Sequence, residues 1–334
     1  MNEYVDSLLR LPGTAEEQEW VRKHLETLSV REGVILTAAR EREPPESAQD
    51  VINHLLSLDR YDVLVHVADY SQLGEYYLRE SSIPREQQPY FDTAALGCWY
   101  EDEHPGLFAD GCYVTYPRGS PELLYDGTHL PSDTERMDWS VRLKLASELV
   151  PGGVWVKLPD YDEINGDPGG LRLALDALRV KTIQECTLLD ARCVLPEIHD
   201  LKEQYDDLSS LIYDGQNLGI VLDERGQGMR DFLERFTAAL EYEGCRRLDH
   251  AVEIGANIRD YTYVAEAALH DYAVDELREK WWFSQDGVRE CFDFEGYART
   301  LLEERGFQPT SDGRGYIARP AAPEQDHQPG MTMQ

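Results

Sequence analysis

Residues 292–317 read FDFEGYARTLLEERGFQPTSDGRGYI, and residues 91–114 read FDTAALGCWYEDEHPGLFADGCYV. Both stretches begin with Phe-Asp and pass through an acidic segment to a glycine, Gly306 or Gly106. Both then continue through Asp-Gly to a tyrosine and an aliphatic residue. Shared landmarks in one order indicate an internal repeat. We therefore expect an ancient tandem duplication.

The starts of the two halves also correspond. Arg-Leu-Pro at residues 10–12 precedes a helical pattern that ends at Val30, and Lys-Leu-Pro at residues 157–159 precedes one that ends at Val180. The first half then has only a short connection to Asp50, whereas the second half runs on to Asp249 through an extra, largely helical segment. The first copy is therefore predicted to lack a middle subdomain.

The local pattern of apolar residues predicts a chain of alternating helices and short strands. Apolar residues at helical spacing indicate helices, and short apolar runs indicate strands. The predicted fold class is α+β: an elongated, multi-subdomain chain of small mixed α/β units plus a helical subdomain, with an internal repeat. The predicted strands are Val34–Leu36 and Val154–Leu158, and the predicted helices are Leu201–Tyr213, Met229–Tyr242, Ala267–Trp282 and Phe294–Arg305.

The richest stretch of Pro, Gly, Ser and Asp lies at residues 117–138 and predicts the main boundary. The Pro-rich end of the chain has no apolar periodicity and predicts a disordered tail. The predicted divisions are 1–118 for the first copy, 119–152 for a linker and connecting helix, 153–319 for the fuller copy (153–198 α+β, 199–248 helical, 249–319 α+β) and 320–334 for the tail.

The charge of the chain is extreme. Its 334 residues include 64 Asp and Glu against 32 Lys and Arg, for a net charge of -32, while 42% hydrophobic residues exclude a wholly disordered polymer. Such a charge repels itself in a compact chain, so another requirement must favour it. A charge of this size matches about 50 Å of B-DNA, or about sixteen base pairs, because the duplex carries about one charge per 1.7 Å.

Several classes of function lack their sequence patterns. The start of the chain has no signal-peptide pattern, and no apolar stretch approaches the length of a membrane span, so a cytoplasmic location is expected. The six cysteines show no zinc spacing, Gly-Gln-Gly at 226–228 lacks the context of a dinucleotide site, and no nucleophile motif is present. We predict no metal, no cofactor and no catalytic residue.

Rows of acids are the candidate binding surface. Asp271, Asp275 and Glu279 recur every four residues in a predicted helix, which would place them on one face about 5–6 Å apart. Other acids crowd the neighbouring predicted helices. The complete predicted surface consists of Asp200, Glu203, Asp206, Asp207, Asp271, Asp275, Glu276, Glu279, Asp293, Glu295, Glu303 and Glu304.

The acidic residues, the net charge and the tryptophan pair also have explanations that involve no binding of a DNA-binding enzyme. Adjacent acids could serve as a catalytic acid and base, but in so acidic a chain a solvated helix face is the better interpretation. The charge could also be a salt adaptation, because the chain has six lysines against twenty-six arginines. The pair Trp281-Trp282 could anchor a partner, although core packing is the favoured interpretation.

The landmarks of the first half resemble ArdA-type antirestriction proteins, and the second half has the family's order of segments from Val154–Pro159 through 201–211 to 257–316. The second half departs from the first at two places, because Val274 and Asp275 stand near the place of Leu73-Gly74 and Ala298 replaces Gly97. The matching segments of the first half are 50–53, 58–62, 67–77, 89–92 and 110–114.

The resemblance implies an inhibitor and not an enzyme. Family members are acidic, elongated chains that mimic bent B-DNA and occupy the DNA-binding groove of type I restriction-modification enzymes, in their methyltransferase and specificity core. The resemblance further implies a homodimer, or a pseudo-dimer of the two halves. It also implies that the protein binds neither nucleic acid nor a membrane directly. The alternative from the residues alone is an acidic adaptor that binds a basic nucleoid or mobilisation protein without imitating DNA.

Overall fold

In the part of the chain that the structure describes, three antiparallel β-sheets of three strands each lie among α-helices. The computed structural model describes residues 7–117, 123–131, 139–226, 229, 231–284 and 289–319. Within these ranges there are 13 α-helices, so the prediction of mixed helical and sheet structure is confirmed.

Along the chain, the elements form three consecutive groups, and each group contains one of the three sheets. The first group is α1 (Ala15–Leu25), α2 (Val30–Arg42), α3 (Ala48–Leu56), β1 (Asp62–Val65), α4 (Tyr70–Glu80), α5 (Thr93–Glu103), β2 (Gly106–Ala109) and β3 (Cys112–Thr115). The second group is β4 (Val141–Ala146), β5 (Val154–Leu158), α6 (Tyr161–Asn165), α7 (Gly170–Leu178), β6 (Thr187–Cys193), α8 (Leu201–Gln204) and α9 (Leu208–Gly226). The last group is α10 (Phe232–Tyr242), α11 (Leu248–Ala256), β7 (Thr262–Ala265), α12 (Leu269–Leu277), α13 (Phe294–Glu304), β8 (Gln308–Pro309) and β9 (Gly315–Ala318).

The chain divides into two compact units. Unit 1 contains the described residues up to Pro196 together with Asp200–Gly219, and unit 2 contains Glu197–His199 and the described residues from Ile220 onward. The division falls within α9. The sequence instead predicts the main boundary at residues 117–138, whose described part belongs to unit 1. The assignment of the chain to two ArdA-like copies stays a prediction.

The first sheet, in unit 1, has the strand order β1-β3-β2. Along the chain, the helix pair α4 and α5 lies between β1 and β2. The β2–β3 hairpin turns at Asp110-Gly111, where φ is 47° and 79°. Positive φ at both central residues is what a tight hairpin turn requires, and Asp-Gly meets this requirement at low cost. The Asp-Gly landmark of the sequence is therefore a hairpin turn.

The helices α4 and α5 cross at two glycines. A Cβ on Gly74 would lie 1.9 Å from the carbonyl oxygen of Thr93, and a Cβ on Gly97 would lie 1.9 Å from that of Tyr70. Any side chain would separate the two backbones, so only glycine permits this distance of approach.

The third sheet, in unit 2, has the order β7-β9-β8 and contains the helix pair α12 and α13 between its first two strands. This is the same arrangement of elements as in the first sheet. Here fully buried alanines, Ala273 and Ala298, lie on the two helices and pack with Leu269 and Leu302. The replacement of Gly97 by Ala298 that the sequence shows is thus compatible with a helix pair in the same position along the chain.

The second sheet has the order β5-β4-β6, so its central strand is β4. The predicted strand Val154–Leu158 is confirmed as β5. The connecting helix predicted within 119–152 is wrong for residues 141–146, because Val141, Leu143 and Leu145 are fully buried and alternate with more exposed residues. Alternation with a period of two fits a strand. The predicted boundary of the fuller copy, at residue 153, therefore leaves β4 outside that copy, although β4 is the central strand of the sheet that contains β5 and β6.

The predicted strand Val34–Leu36 is wrong, because these residues lie within α2. The helix begins with a capping box, in which Ser29 N donates to Glu32 Oε2 at 2.8 Å and Glu32 N donates to Ser29 Oγ at 3.3 Å. Buried Ala38 and Ala39 continue the apolar face on the next turn. A short apolar run is ambiguous between strand and buried helix, and here the cap decides it.

Part of the predicted linker is packed on α3. Asn53 Oδ1 accepts hydrogen bonds from the backbone N–H groups of Leu124 and Tyr125, both at 2.9 Å, and its Nδ2 donates to the carbonyl of Tyr125 at 3.0 Å. The Tyr125 hydroxyl donates to Glu17 Oε1 at 3.0 Å, and its side chain is buried. Residues 123–131 therefore belong to the surface of the first group of helices.

The other helix predictions hold in part. The predicted helix Met229–Tyr242 corresponds to α10, which begins later, at Phe232, and the predicted helix Phe294–Arg305 corresponds to α13, which ends one residue earlier. The predicted tail at 320–334 lies outside the described residues. None of the helices that the structure describes has the length and apolar character needed to span a bilayer.

Candidate acidic surface

All twelve acids of the predicted surface are exposed in the structure. Four of them, Asp200, Glu203, Asp206 and Asp207, lie in unit 1, and the other eight lie in unit 2. Exposure is what the solvated helix-face interpretation and a charged binding surface both require. It leaves the adjacent carboxylate pairs in contact with water.

The four acids of unit 1 lie around a break between two helices. The predicted helix Leu201–Tyr213 is interrupted after Gln204, because Asp207 forms a new helix start: Ser210 N donates to Asp207 Oδ1 at 2.9 Å and Ser210 Oγ donates to Oδ2 at 2.7 Å. These hydrogen bonds from Ser210 lower the pKa of Asp207. Asp207 is therefore held as a carboxylate at the N-terminal end of α9, where the helix dipole also favours negative charge.

The row predicted on the helix after Ala267 is shorter than expected. Asp271 and Asp275 lie one turn apart on α12, but this helix ends at Leu277. Glu279 follows the helix and so does not continue its face. The continuous helix Ala267–Trp282 is wrong in this respect, because a 3-10 turn at Glu266–Ala268 precedes α12 and another at Trp281–Ser284 follows it.

Arginines neutralise part of this charge within the chain. Arg305 binds Glu276 through both guanidinium nitrogens, at 2.7 Å each, and lowers the pKa of this carboxyl group. Asp275 pairs with Arg278 at 2.5 Å, and Glu295 lies 3.4 Å from Arg299. These acids are less available to a basic partner than the sequence suggests.

The acids of α13 lie at its two ends. Asp293 caps the helix, because Gly296 N donates to its Oδ1 at 2.9 Å. Glu303 and Glu304 occupy the last turn, which contains no basic residue. Neither glutamate, nor Glu279, has an ion-pair partner among the described residues. The helix dipole disfavours carboxylates at a helix C-terminus, so Glu303 and Glu304 reduce the stability of α13.

Sequence reasoning missed the equivalent acids of the first sheet. The helix α5 is capped by Asp92 and ends with Glu101, Asp102 and Glu103, again with no basic residue in its last turn. Glu101 accepts a hydrogen bond from the Tyr70 hydroxyl at 2.8 Å, and Asp102 and Glu103 are exposed. The run Glu-Asp-Glu at the corresponding place in the predicted repeat was the pattern that could have identified them.

An exposed tryptophan, Trp281, follows Glu279 by two residues in the sequence of unit 2. Trp281 is 78% exposed, so the favoured interpretation of core packing is wrong for this residue. The side chain of Trp282 lies outside the described set. Tryptophan is enriched among the residues that contribute most to protein–protein binding.

No family model, curated protein or solved structure matches this chain. Nor do the described ranges contain a group of three or more His, Cys, Asp or Glu side chains that could hold a metal ion. What remains is a set of exposed carboxylates, some capped or paired with arginine and some at helix ends without a cation.

Proposed function

We propose that this protein is an acidic DNA mimic of the ArdA antirestriction type, which occupies the DNA-binding groove of a type I restriction-modification enzyme and protects mobile-element DNA. The observation that supports this most directly is the placement of Glu303 and Glu304 at the end of α13. They oppose the helix dipole and have no cation partner among the described residues, so their charge serves something other than the stability of the helix.

The mechanism is competition for basic residues. Lysines and arginines of the enzyme that bind phosphates would bind these carboxylates instead, and the counterions released on both sides would supply much of the affinity. The protein acts by binding and catalyses no reaction in this proposal. Because the charge is spread over many exposed acids, the loss of any one contributes little.

The matching order of elements around the first and third sheets supports the proposed tandem duplication. Each sheet has its third strand in the centre, a helix pair between its first two strands, and a 3-10 turn directly before its first strand, at Leu58–Arg60 or Ile258–Asp260. Both helix pairs end in acids. A homodimer, or a pseudo-dimer of the two copies, is part of the proposal.

A competition experiment tests the proposal. Purified protein is added to a type I methyltransferase core bound to labelled duplex DNA, across a range of salt concentrations. Displacement should fade steeply with salt, as expected when ion release drives binding. The test variant reverses the unpaired acids together, as Glu279→Lys, Glu303→Lys and Glu304→Lys.

The control variant carries the same change of charge elsewhere, as Glu16→Lys, Glu46→Lys and Glu86→Lys, all of which are exposed. Loss of displacement in the test variant alone would support the mimic. Equal displacement by both variants, or none by wild-type protein with several such enzymes, would overturn the assignment of this surface.

The exposure of Trp281 favours a second candidate, an acidic adaptor for a basic protein. An adaptor needs one acidic patch beside an apolar anchor, whereas a DNA mimic needs only charge and shape. The substitution Trp281→Ala separates them: it should leave displacement of DNA unchanged in a mimic and abolish binding of the basic partner by an adaptor.

A further inference from the structure

Three cations lie side by side across the second sheet. In the registers of this sheet, Arg142 of β4 is opposite Lys157 of β5 and also opposite Arg192 of β6. Like charges directly opposite each other on neighbouring strands destabilise a sheet. The registers therefore bring three cations together on one face of the sheet, in a chain with twice as many acids as bases.

The row forms one wall of a cavity of about 1100 Å³ that lies wholly in unit 1. Its lining contains four Lys and Arg residues against two acids, Glu32 and Asp59, which inverts the balance of the chain as a whole. The fourth cation is Lys23 of α1. The volume is sufficient for a ligand of nucleotide size, because typical small-molecule sites enclose about 300–1,000 Å³.

Two tryptophans provide aromatic surface in the same cavity. Trp20 is fixed by a hydrogen bond from its Nε1 to the carbonyl of Pro131 at 3.0 Å and is stacked on His24, with 3.5 Å between the ring centroids. Trp139 lies under the guanidinium of Arg142, which is 4.5 Å from its ring centroid. Leucines from α3 and from residues 124–130 complete the apolar part of the lining.

Contacts with neighbouring side chains fix the conformations of these cations in the absence of a ligand. Lys157 Nζ pairs with Glu32 Oε1 at 2.5 Å, and both side chains are only 15% exposed. Arg192 pairs with Asp190 at 3.1 Å, and its guanidinium lies 5.0 Å from the ring centroid of Trp155. Side chains fixed in this way lose little conformational entropy when a ligand binds.

We propose that this cavity binds a small organic anion with a planar ring, of the nucleotide class. The anionic group would lie against the row formed by Lys157, Arg142 and Arg192, with Lys23 of the same lining as a further contact. The ring would lie against Trp20 or Trp139. Cations and aromatic faces within one concave site are the features that bind such molecules. The site is independent of the acidic surface.

The test uses isothermal titration of the full-length protein with three probes: adenosine triphosphate, inorganic tripolyphosphate and adenosine. We expect adenosine triphosphate to bind more tightly than either of the others, because only it has both the anion and the ring. No heat with adenosine triphosphate at millimolar concentration would overturn the proposal. Equal affinity for tripolyphosphate would overturn the role of the tryptophans, and equal affinity for adenosine would overturn the role of the cations.

The matched variants remove the same number of exposed cations. The substitutions Lys23→Gln and Arg192→Gln together should weaken binding of adenosine triphosphate by about tenfold, since two exposed ionic contacts contribute about 1.4 kcal/mol in favourable cases. The control pair, Lys202→Gln and Arg259→Gln, is also exposed but does not line the cavity. Equal losses in the two variants would contradict the site, and near-ultraviolet circular dichroism verifies that both are folded.

Discussion

Gly97 of α5 lies against the carbonyl group of Tyr70 in α4, so closely that a Cβ would be 1.9 Å from the oxygen. The contact is reciprocated by Gly74 against Thr93. Because the obstacle is backbone in both cases, neither contact can be relieved by rotating a side chain. The helix pair beside the first sheet thus depends on two residues that have no side chains.

The substitution Gly97→Ala should destabilise the protein by about 1–3 kcal/mol or more, because the two helices must move apart. Urea unfolding measures the change. The control is Gly33→Ala, since Gly33 lies in α2 and nothing lies within 4 Å of the place that an added methyl group would occupy. There alanine should stabilise the protein by about 0.5–1 kcal/mol. Two changes of the same size and sign would contradict the close crossing.

Replacement of Asn53 by Ala should release residues 123–131 from α3. The amide of Asn53 accepts from the backbone N–H groups of Leu124 and Tyr125, so its removal takes away the acceptor of both groups. The Tyr125 carbonyl loses the hydrogen bond from Asn53 but keeps the one from Gln49 Nε2 at 3.3 Å. The expected loss is about 1–3 kcal/mol. Limited proteolysis should show faster cleavage near Leu124 than in wild-type protein. The exposed Asn257→Ala serves as control, and equal cleavage of both variants would show that the segment is not held by Asn53.

Glu303→Lys with Glu304→Lys should raise the melting temperature and lower inhibition at the same time. Lysines in the last turn of α13 interact favourably with the helix dipole, which predicts a rise of about 1–3 °C. The same change removes two negative charges from the proposed surface and adds two positive ones. Scanning calorimetry and DNA displacement are measured on one preparation. A fall in both melting temperature and inhibition would indicate that inhibition is lost through destabilisation of the fold and not through the change of surface charge.

The ion pair between Glu276 and Arg305 predicts a pH-dependent contribution to stability. Arg305 lowers the pKa of Glu276 below its ordinary value of 4.5, so the pair stabilises the folded protein above about that pH and loses this effect as the pH falls through the lowered pKa. Wild-type protein should therefore exceed Glu276→Gln in stability at neutral pH by about 0.5–1 kcal/mol. The difference should disappear in acid.

Urea unfolding from about pH 7 to about pH 3 gives this difference directly. Glu304→Gln is the matched control, because it removes the same charge from a residue without a cation partner in the described structure. A difference of constant size over the whole pH range would show that the contact between Glu276 and Arg305 does not depend on the carboxylate.

The sequence predicts those elements in which one periodicity dominates. Val154–Leu158 and the helix from Phe294 belong to this class. Val34–Leu36 is predicted as a strand because three apolar residues have no period of their own, and only the cap at Ser29 shows that they belong to a helix. The strand Val141–Ala146 is missed because Arg142 and Lys144 make a half-buried strand look like a polar connection.

The exposure of the acidic surface was predictable from composition, but its pairing was not. Whether Glu276 meets Arg305 depends on how α12 packs on α13, a contact between residues distant in sequence. The end of α12 before Glu279 likewise follows from tertiary structure. The cation row was missed for a similar reason, since strand register brings Arg142, Lys157 and Arg192 together from three separate places in the chain.

The proposed function implies that Glu303 and Glu304 are under selection for binding as well as for folding. Many substitutions at Glu303 and Glu304 would strengthen the helix, and a lineage drifting under a requirement for folding alone would accumulate them. A chain that keeps acids there is displaced from its own stability optimum. Because net stability is a small difference between large opposing contributions, the burial in its sheets and at the crossing of α4 and α5 must offset this cost for the chain to remain folded.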